Sequence, residues 1–221
     1  MNILIAVAHP DDEVIGVGGT IVKHVRQRHI VHVCFFTEGA TARGGSIKKQ
    51  LACARKACQS LGVDHTHFFG YRDQRLDTYP LLDLNRKLES LVKKIRPEII
   101  YTHFYGDLNM DHRMVFDSSM IASRPLRSTV KNIFCFETLS STEWDAPGRF
   151  PFTPNVYENI EDYFDKKVEA FRLYAQTPSN EVEKFPHPRS IEGLATLAKK
   201  RGSEAGFLKA EAFMLIRQLN D

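Results

Sequence analysis

Segments with strand-like and helix-like patterns alternate along the first part of the chain, and this alternation limits the fold more than any other feature. Apolar runs typical of buried strands lie at 2–7, 30–37, 65–69, 98–104 and 132–137. Apolar residues at helical spacing lie at 12–28, 47–61, 80–95 and 113–123. This order is typical of parallel strands with helices on both faces of the sheet. We therefore predict a Rossmann-like α/β fold with a mainly parallel sheet, in a single domain over 1–221.

The remainder of the chain has weaker patterns. Residues 140–160 contain several prolines and little periodicity, which indicates a long surface segment. Helical spacing returns at 161–176 and 190–201, and a final apolar stretch follows, A-E-A-F-M-L-I-R. A length of 221 residues is enough for one sizeable core and makes no clear case for a second domain.

Charge and composition argue against several classes of protein. The balance of 30 basic against 27 acidic residues, a net charge of +3, is too mild to predict binding to nucleic acid or to an anionic membrane. No apolar run approaches the roughly 18 residues that predict a membrane span, and the start lacks the basic region of a signal peptide. The four cysteines form no C-x-x-C pair, so we expect buried reduced thiols and a cytoplasmic protein. The sequence leaves open whether the chain forms a homo-oligomer.

The stretch A-H-P-D-D-E follows the first predicted strand and places an imidazole beside three carboxylates. Ligands bind at the carboxyl ends of the strands in an open α/β sheet, so His9 lies where a site is expected. Pro10 favours an extended His9 followed by a turn or a helix start. His9 and Asp12 can then converge on one point, which Asp11 faces from another side. Because adjacent carboxylates repel one another, their burial is costly unless a cation lies among them.

A metal ion is the cation that this arrangement favours. A His and a carboxylate are two of the three protein ligands that are typical of catalytic zinc. His112 is the candidate for the third ligand, because it lies in the loop predicted after the strand at 98–104. The alternative is a hydrogen-bonded His–Asp pair, with acidic residues that interact favourably with a helix N-terminus. The spacing alone does not choose between these two interpretations.

A longer set of motifs resembles the PIG-L/LmbE-like zinc-dependent N-deacetylases, in particular their bacterial sugar-deacetylase members. The motifs are A-H-P-D-D-E with G-V-G-G after it, a D-H pair about a hundred residues on, T-E-G-A-T-A-R, G-Y-R-D-Q-R-L and the region 186–213. Members of this family remove an acetyl group from GlcNAc-phosphatidylinositol and from the precursors of mycothiol and bacillithiol. The resemblance implies a zinc-dependent hydrolase whose small-molecule substrate is an N-acetylated amino sugar or its conjugate.

The resemblance also implies the parts of the catalytic site. His9, Asp12 and His112 match the zinc ligands of the family, and Asp11 matches its general base. Zinc would bind a water molecule and lower its pKa to about 7. Asp11 would take the proton as the oxygen attacks the amide carbonyl, and the products would be acetate and a free amino sugar.

Four further positions follow from the resemblance. Arg43 and Asp73 match positions that hold substrate hydroxyls or phosphate. Asp111 would orient a ligand imidazole from outside the metal site. Asn109 replaces a His that often helps catalysis, since many relatives have H-P-D-H where this chain has N-M-D-H. We expect Asn109 to face the substrate as a hydrogen-bond donor. A second departure is Cys53, which lies near the position of a Glu in the family's R-x-x-E motif.

The missing His leaves the general acid open. His187, in P-H-P-R-S, is the best spare imidazole, although its position between prolines also suits a structural role. Our hypothesis is that Asp11 returns the proton itself. Arg189 is a candidate for binding an anionic substrate, or a solvated side chain. The alternative functions are a zinc hydrolase of another small N-acyl amide, such as an antibiotic precursor, and a non-catalytic sugar-binding domain.

Overall fold

A computed structural model describes residues 1–63, 65–146, 149–176 and 181–220, with the side chains of Arg43 and Gln176 excluded. Within these ranges the strands are β1 (Asn2–Val7), β2 (Ile30–Thr37), β3 (His65–Tyr71), β4 (Ile99–His103), β5 (Asn132–Phe136), β6 (Val156–Asn159) and β7 (Ala210–Gln218). The α-helices are α1 (Asp12–Arg26), α2 (Ile47–Ser60), α3 (Leu81–Ile95), α4 (Met110–Ala122), α5 (Phe164–Arg172) and α6 (Ile191–Ala205). Short 3-10 turns lie at Thr41–Arg43, Leu76–Thr78, Glu161–Tyr163 and Leu173–Gln176.

The strands of the described residues form one sheet in the order β3-β2-β1-β4-β5-β7-β6. Strands β1 to β5 pair in parallel, whereas β7 pairs antiparallel with both β5 and β6. A parallel pair needs a crossover connection, and the helices between the first five strands supply it. The predicted α/β class with a mainly parallel sheet is therefore confirmed.

Strand β1 shows why helices cover both faces. Its side chains alternate, so Ile3 and Ile5 pack on one face with α1 and α2, whereas Leu4 packs on the other face with α3. A parallel strand buried on both sides requires apolar residues at its buried positions, and I-L-I-A-V at 3–7 supplies them. The structure thus confirms the predicted helices on both faces.

The second half of the chain departs from the sequence patterns. The stretch 140–160 was predicted as irregular surface, but its last residues form β6. The final apolar stretch forms β7, which lies between β5 and β6. The helix predicted over 161–176 is limited to α5, with a 3-10 turn at each end. These strands are stabilised by pairing with strands distant in sequence, which local periodicity does not record.

The order of the strands creates a crevice between β1 and β4. The chain leaves β1 towards β2 on one side, and leaves β4 towards β5 on the other side. The loops after these two strands therefore separate, and a ligand can bind between them. A-H-P-D-D-E follows β1 and N-M-D-H follows β4, so the two motifs meet at this crevice. In the described residues, no helix is both long enough and apolar enough to cross a membrane.

Candidate active site

Three predicted residues meet at the crevice with one ligand atom each. His9 Nδ1 lies 3.2 Å from Asp12 Oδ2 and 3.2 Å from His112 Nε2. His112 Nε2 lies 3.4 Å from Asp12 Oδ2. All three side chains are buried, and the three atoms form a nearly equilateral triangle. We refer to these atoms as the donor triangle.

The backbone at the end of β1 places two corners of the triangle. The Asp12 carboxylate accepts a hydrogen bond from the His9 backbone N–H at 2.9 Å, which closes the turn. Asp11 precedes α1 and has a φ of 124°, a conformation that costs a residue with a side chain about 1–3 kcal/mol. The two adjacent carboxylates have different partners, since Asp12 contacts the imidazole of His9 and Asp11 contacts the guanidinium of Arg189.

The third corner lies in a helix, and not in the loop that the sequence predicted. Helix α4 begins at Met110 because the Asn109 side chain caps it, accepting a hydrogen bond from the Asp111 backbone N–H at 2.9 Å. His112 therefore lies in the first turn of α4. Its orientation is fixed by a helical backbone, which makes this corner more rigid than a loop residue would be.

The donor triangle fits zinc in both chemistry and size. Two imidazoles and one carboxylate form a donor set that zinc accepts in catalytic sites. A tetrahedral ion with bonds of about 2.0–2.1 Å holds its ligand atoms about 3.3 Å apart, and the edges observed here are 3.2, 3.2 and 3.4 Å. The triangle also lines a cavity, as a site with an open fourth position requires.

Outer carboxylates fix both imidazoles. The Asp107 carboxylate accepts a hydrogen bond from His112 Nδ1 at 3.0 Å, and the Asp111 carboxylate lies 3.1 Å from His9 Nε2. Because a carboxylate accepts, the proton of each ring is held on the outer nitrogen, and the inner nitrogen faces the triangle. Asp111, predicted to orient a ligand imidazole, therefore contacts that of His9. Asp107 was missed, since no spacing rule distinguishes it from neighbouring acidic residues.

His103, the last residue of β4, packs against the donor triangle. Its ring stacks on His112 with centroids 3.8 Å apart, and its Nε2 accepts a hydrogen bond from the Ala8 backbone N–H at 2.9 Å. Burial, together with the positive charge of His112, lowers the pKa of His103 to about 4. His103 is thus a neutral ring whose Nε2 is already occupied.

The charges of the site favour a cation. Burial lowers the pKa of His112, but the carboxylates of Asp12 and Asp107 outweigh burial and raise it to about 9. Burial likewise opposes ionisation of Asp12, but the positive charge of His112 keeps the pKa of its carboxyl well below the usual range. A metal ion at the donor triangle would replace the proton of His112 as the positive charge that the carboxylates require.

Asp11 lies in the same cavity as the triangle, and Arg189 joins it to a second carboxylate, that of Glu181. Its Oδ2 accepts a hydrogen bond from Arg189 Nη2, and the same nitrogen donates to Glu181 Oε2 at 2.6 Å. Burial raises the pKa of Asp11 above its usual range, against the effect of Arg189. Arg189, predicted as a substrate-binding residue, lines the cavity but has this nitrogen committed to two carboxylates. Glu181 had no motif that would have identified it.

Glu38 joins the loops that follow β2 and β3. Its carboxylate accepts hydrogen bonds from the backbone N–H groups of Ala40 at 2.7 Å and Asp73 at 3.3 Å. Gly39 has a φ of 64°, and a Cβ at this position would lie 2.5 Å from Pro10 Cδ, so only glycine allows the loop to pack on the first motif. These contacts hold the loops after β2 and β3, which carry two of the motifs that resemble the family, beside the cavity.

The remaining predicted residues differ in their relation to the cavity. Asp73 and Asn109 both line it, and Asp73 Oδ1 lies 3.3 Å from His9 Nε2. His187 is not among the described residues that line it. The His187 Nδ1 instead accepts a hydrogen bond from the Arg189 backbone N–H at 3.1 Å, and its ring contacts Trp144 edge-on. Arg43 ends a 3-10 turn, and its side chain lies outside the described part of the structure.

A buried donor triangle, a carboxylate beside it and a cavity at the carboxyl ends of parallel strands are typical of a metal-dependent hydrolase. The PIG-L family model, described as GlcNAc-PI de-N-acetylase, matches residues 4–123, more than half of the chain. The chain therefore belongs to the PIG-L family. The predicted family and the predicted class, a sugar N-deacetylase, are confirmed. The matched segment includes the donor triangle and Asp11.

Individual relatives agree with this assignment. The uncharacterized deacetylase YaiS of Escherichia coli (strain K12) is 30% identical over 179 residues, which cover 78% of this chain and 90% of the relative. A probable N-acetyl-alpha-D-glucosaminyl L-malate deacetylase 2 of Bacillus anthracis is 23% identical over 192 residues, 82% of this chain and 83% of the relative.

A solved structure agrees in fold. The N,N'-diacetylchitobiose deacetylase of Pyrococcus horikoshii superimposes with a TM-score of 0.78, over 98% of this chain and 84% of that chain. At 20% identity this similarity shows the shared fold and not a shared substrate.

Proposed function

We propose that this protein is a zinc-dependent N-deacetylase that hydrolyses the acetamido group of an N-acetylated amino sugar or its conjugate. The observation that carries the proposal is the donor triangle, whose edges have the length that tetrahedral zinc requires, with the Asp11 carboxylate in the same cavity. Membership of the PIG-L family, described as GlcNAc-PI de-N-acetylase, supports the amino sugar as the substrate class.

His9, Asp12 and His112 would hold the zinc ion. When bound, zinc supplies a Lewis acid that polarises the amide carbonyl and makes water acidic enough to react near neutral pH. Asp107 and Asp111 hold the outer nitrogens of the two imidazoles, so that the inner nitrogens stay available to the metal.

Asp11 is the proton acceptor in this mechanism. Its carboxylate lines the cavity, and only Oδ2 is bonded to Arg189. As a water oxygen adds to the acetyl carbon, Asp11 takes one proton from it. The carbon–nitrogen bond then breaks, and Asp11 returns the proton to the departing amine. One water molecule and one amide thus give acetate and a free amino sugar.

The other cavity residues bind and position the substrate. Asn109 uses its side-chain oxygen as the cap of α4, so its amide N–H groups stay available to a developing oxyanion. Asp73 accepts hydrogen bonds from sugar hydroxyls. Arg43 is assigned to the substrate from its motif alone.

Two alternatives stay distinct from this proposal. A zinc hydrolase of another small N-acyl amide would use the same donor triangle on a different substrate. A sugar-binding domain without catalysis would need neither the metal nor Asp11, and the coincidence of both in one cavity favours an enzyme. We also propose a single domain over 1–221 and a cytoplasmic location, the latter supported by the buried free thiols of Cys34, Cys53, Cys58 and Cys135.

A substrate panel tests the proposal. N-acetyl sugars, nucleotide sugars and N-acetyl glycosides would be incubated with the zinc-loaded protein, and free amine and acetate would be quantified in equal amounts. N-acetyl amino acids and N-acyl antibiotic precursors form the comparison set. If only the comparison set released amine and acetate, the substrate would be another small N-acyl amide and not an amino sugar. Binding of sugars without release of acetate by any member would establish the non-catalytic alternative.

A further inference from the structure

We propose that Arg189 is a positioning residue, which holds the Asp11 carboxylate in place for proton transfer, and that Glu181 holds Arg189. This assignment replaces the substrate-binding role that the sequence predicted for Arg189. It rests on the proposed function, because that function gives Asp11 the proton transfer.

The first argument is the use of one guanidinium nitrogen. Nη2 carries two hydrogens and donates to two carboxylates, those of Asp11 and Glu181. The side chains of both acids are almost fully buried, at 3% and 4% exposure, and that of Arg189 is 15% exposed. Charged pairs removed from water hold a defined geometry, because breaking one leaves an uncompensated buried charge. A substrate would have to displace one of these carboxylates to use Nη2.

The second argument is the position of Asp11. Asp11 is the residue immediately before α1, yet its side chain does not cap the helix. The Asp11 backbone N–H donates instead to the Glu13 carboxylate at 2.9 Å, in the positive-φ conformation described above. The backbone therefore directs the Asp11 carboxylate away from α1 and towards Arg189. With Oδ2 bonded there, Oδ1 is the oxygen that is left to exchange a proton.

The third argument is the rigidity of the segment that carries Arg189. The Arg189 carbonyl accepts a hydrogen bond from the Glu183 backbone N–H at 3.0 Å, and the Arg189 N–H donates to His187 Nδ1 at 3.1 Å. Ser190 then caps α6 by accepting a hydrogen bond from the Gly193 N–H at 2.9 Å. A guanidinium on so restrained a backbone suits the fixing of another side chain.

The fourth argument is that the charges around Asp11 favour a cationic partner for it. Asp11 is close to the carboxylates of Asp12, Glu13 and Glu181, each of which repels it. Arg189 opposes that repulsion through a direct hydrogen bond. Without the guanidinium, we expect the Asp11 side chain to turn away from the other acids, and so from the reacting atoms.

Steady-state kinetics of Arg189→Ala test the proposal on a substrate identified by the panel. We expect kcat to fall at least tenfold, KM to change less than threefold, and the metal content to stay at the wild-type value. Arg189→Lys should recover part of kcat, and added guanidinium ion should partly rescue Arg189→Ala by occupying the vacated space. Arg26→Ala is the matched control, because it removes an exposed arginine at the end of α1. An increase in KM with kcat unchanged would overturn the proposal and restore the substrate-binding role.

A double-mutant cycle separates action through Asp11 from an independent effect. If Arg189 acts through Asp11, adding Arg189→Ala to Asp11→Asn should lower kcat by less than about twofold. A further loss equal to that of Arg189→Ala alone would overturn the proposal.

Glu181→Gln gives a second test if Arg189→Ala does not fold. Glu181→Gln should also lower kcat, but by a smaller factor than Arg189→Ala does. Wild-type kinetics of Glu181→Gln would show that Glu181 does not hold Arg189 in a position that the reaction requires. The failure of the proposed function has a different signature, either no deacetylation by the wild type or full activity of Asp11→Asn.

Discussion

The Asp107 carboxylate accepts a hydrogen bond from His112 Nδ1 at 3.0 Å, and this contact directs His112 Nε2 into the donor triangle. A neutral imidazole carries one proton, so a carboxylate that holds this proton on Nδ1 leaves the lone pair of Nε2 available to a metal. The hydroxyl of Ser141 donates to the other oxygen of Asp107 and so fixes its orientation. Asp107, which the sequence did not predict, thus orients His112, which was predicted as a metal ligand.

Removal of either partner should weaken metal binding, to different degrees. His112→Ala should lose the metal and the activity together, because only two of the three protein ligands would remain. Asp107→Asn should bind the metal about 10- to 100-fold more weakly, since an amide no longer holds the ring as a carboxylate does. Metal content by elemental analysis and affinity by chelator competition measure both effects, with about one divalent ion per wild-type chain. Asp117→Asn, exposed on the same helix, is the control. Full occupancy in His112→Ala would remove His112 from the ligand set.

Asp11→Asn should retain the metal and lose most turnover. General-base catalysis typically contributes about a hundred- to ten-thousand-fold, and an amide cannot accept the proton. The comparison of kcat with metal content in the same preparation tests this. If the variant loses its metal instead, Asp11 is a ligand, and the roles of the two adjacent aspartates are exchanged.

His187→Gln should lower activity by less than about tenfold, which is below the usual effect of losing a positioned proton donor. His187 uses Nδ1 to accept a hydrogen bond from the Arg189 backbone and is not among the described residues that line the cavity. The pH–rate profile of the variant is the informative measurement. A thousandfold loss with the metal retained and the alkaline limb abolished would identify His187 as the general acid.

Asp73→Ala and Arg43→Ala should raise KM more than they lower kcat, because both residues are assigned to the substrate and not to the reacting atoms. The metal should stay bound in both variants, although Asp73 also contacts His9 at 3.3 Å. Asp77→Ala, exposed in the turn Leu76–Thr78, serves as the control. Wild-type kinetics for both variants would show that these loops do not bind the substrate.

The stability of the fold should fall in acid partly through His24. Burial, together with His29 and Lys23, lowers the pKa of His24 to about 4, and the ring contacts the Tyr101 hydroxyl at 3.0 Å. An unfolded histidine has a pKa of about 6.5, so the unfolded chain binds more protons than the folded one between pH 6.5 and 4. The free energy of unfolding therefore decreases as the pH falls through this range.

Urea unfolding of the wild type and His24→Gln measures this effect. The loss of stability between pH 7.5 and 5 should be about 1–2 kcal/mol smaller in the variant. If the free energy of unfolding fell equally with pH in the two proteins, His24 would not be a source of the acid sensitivity.

Local patterns were sufficient for much of the fold. The alternation of strands and helices up to β5 was visible because each parallel strand is buried on both faces and each helix has one apolar face. β6 and β7 were not assigned, because β6 is four residues long and both depend on antiparallel pairing across about fifty residues of chain. The start of α4 was misplaced by three residues, since the capping role of Asn109 has only a weak local signal.

The sequence by itself determined the chemistry of the site, since the motif A-H-P-D-D-E and the D-H pair carry the donors that meet at the crevice. Only the tertiary structure decided which groups support those donors. His103 and Asp107 come from the end of β4 and the loop after it, Glu181 and Arg189 from the stretch before α6, and each contacts its partner through a hydrogen bond or a ring stack. Such contacts depend on side-chain directions fixed by packing, and one sequence read alone contains periodicity and spacing but not direction in space.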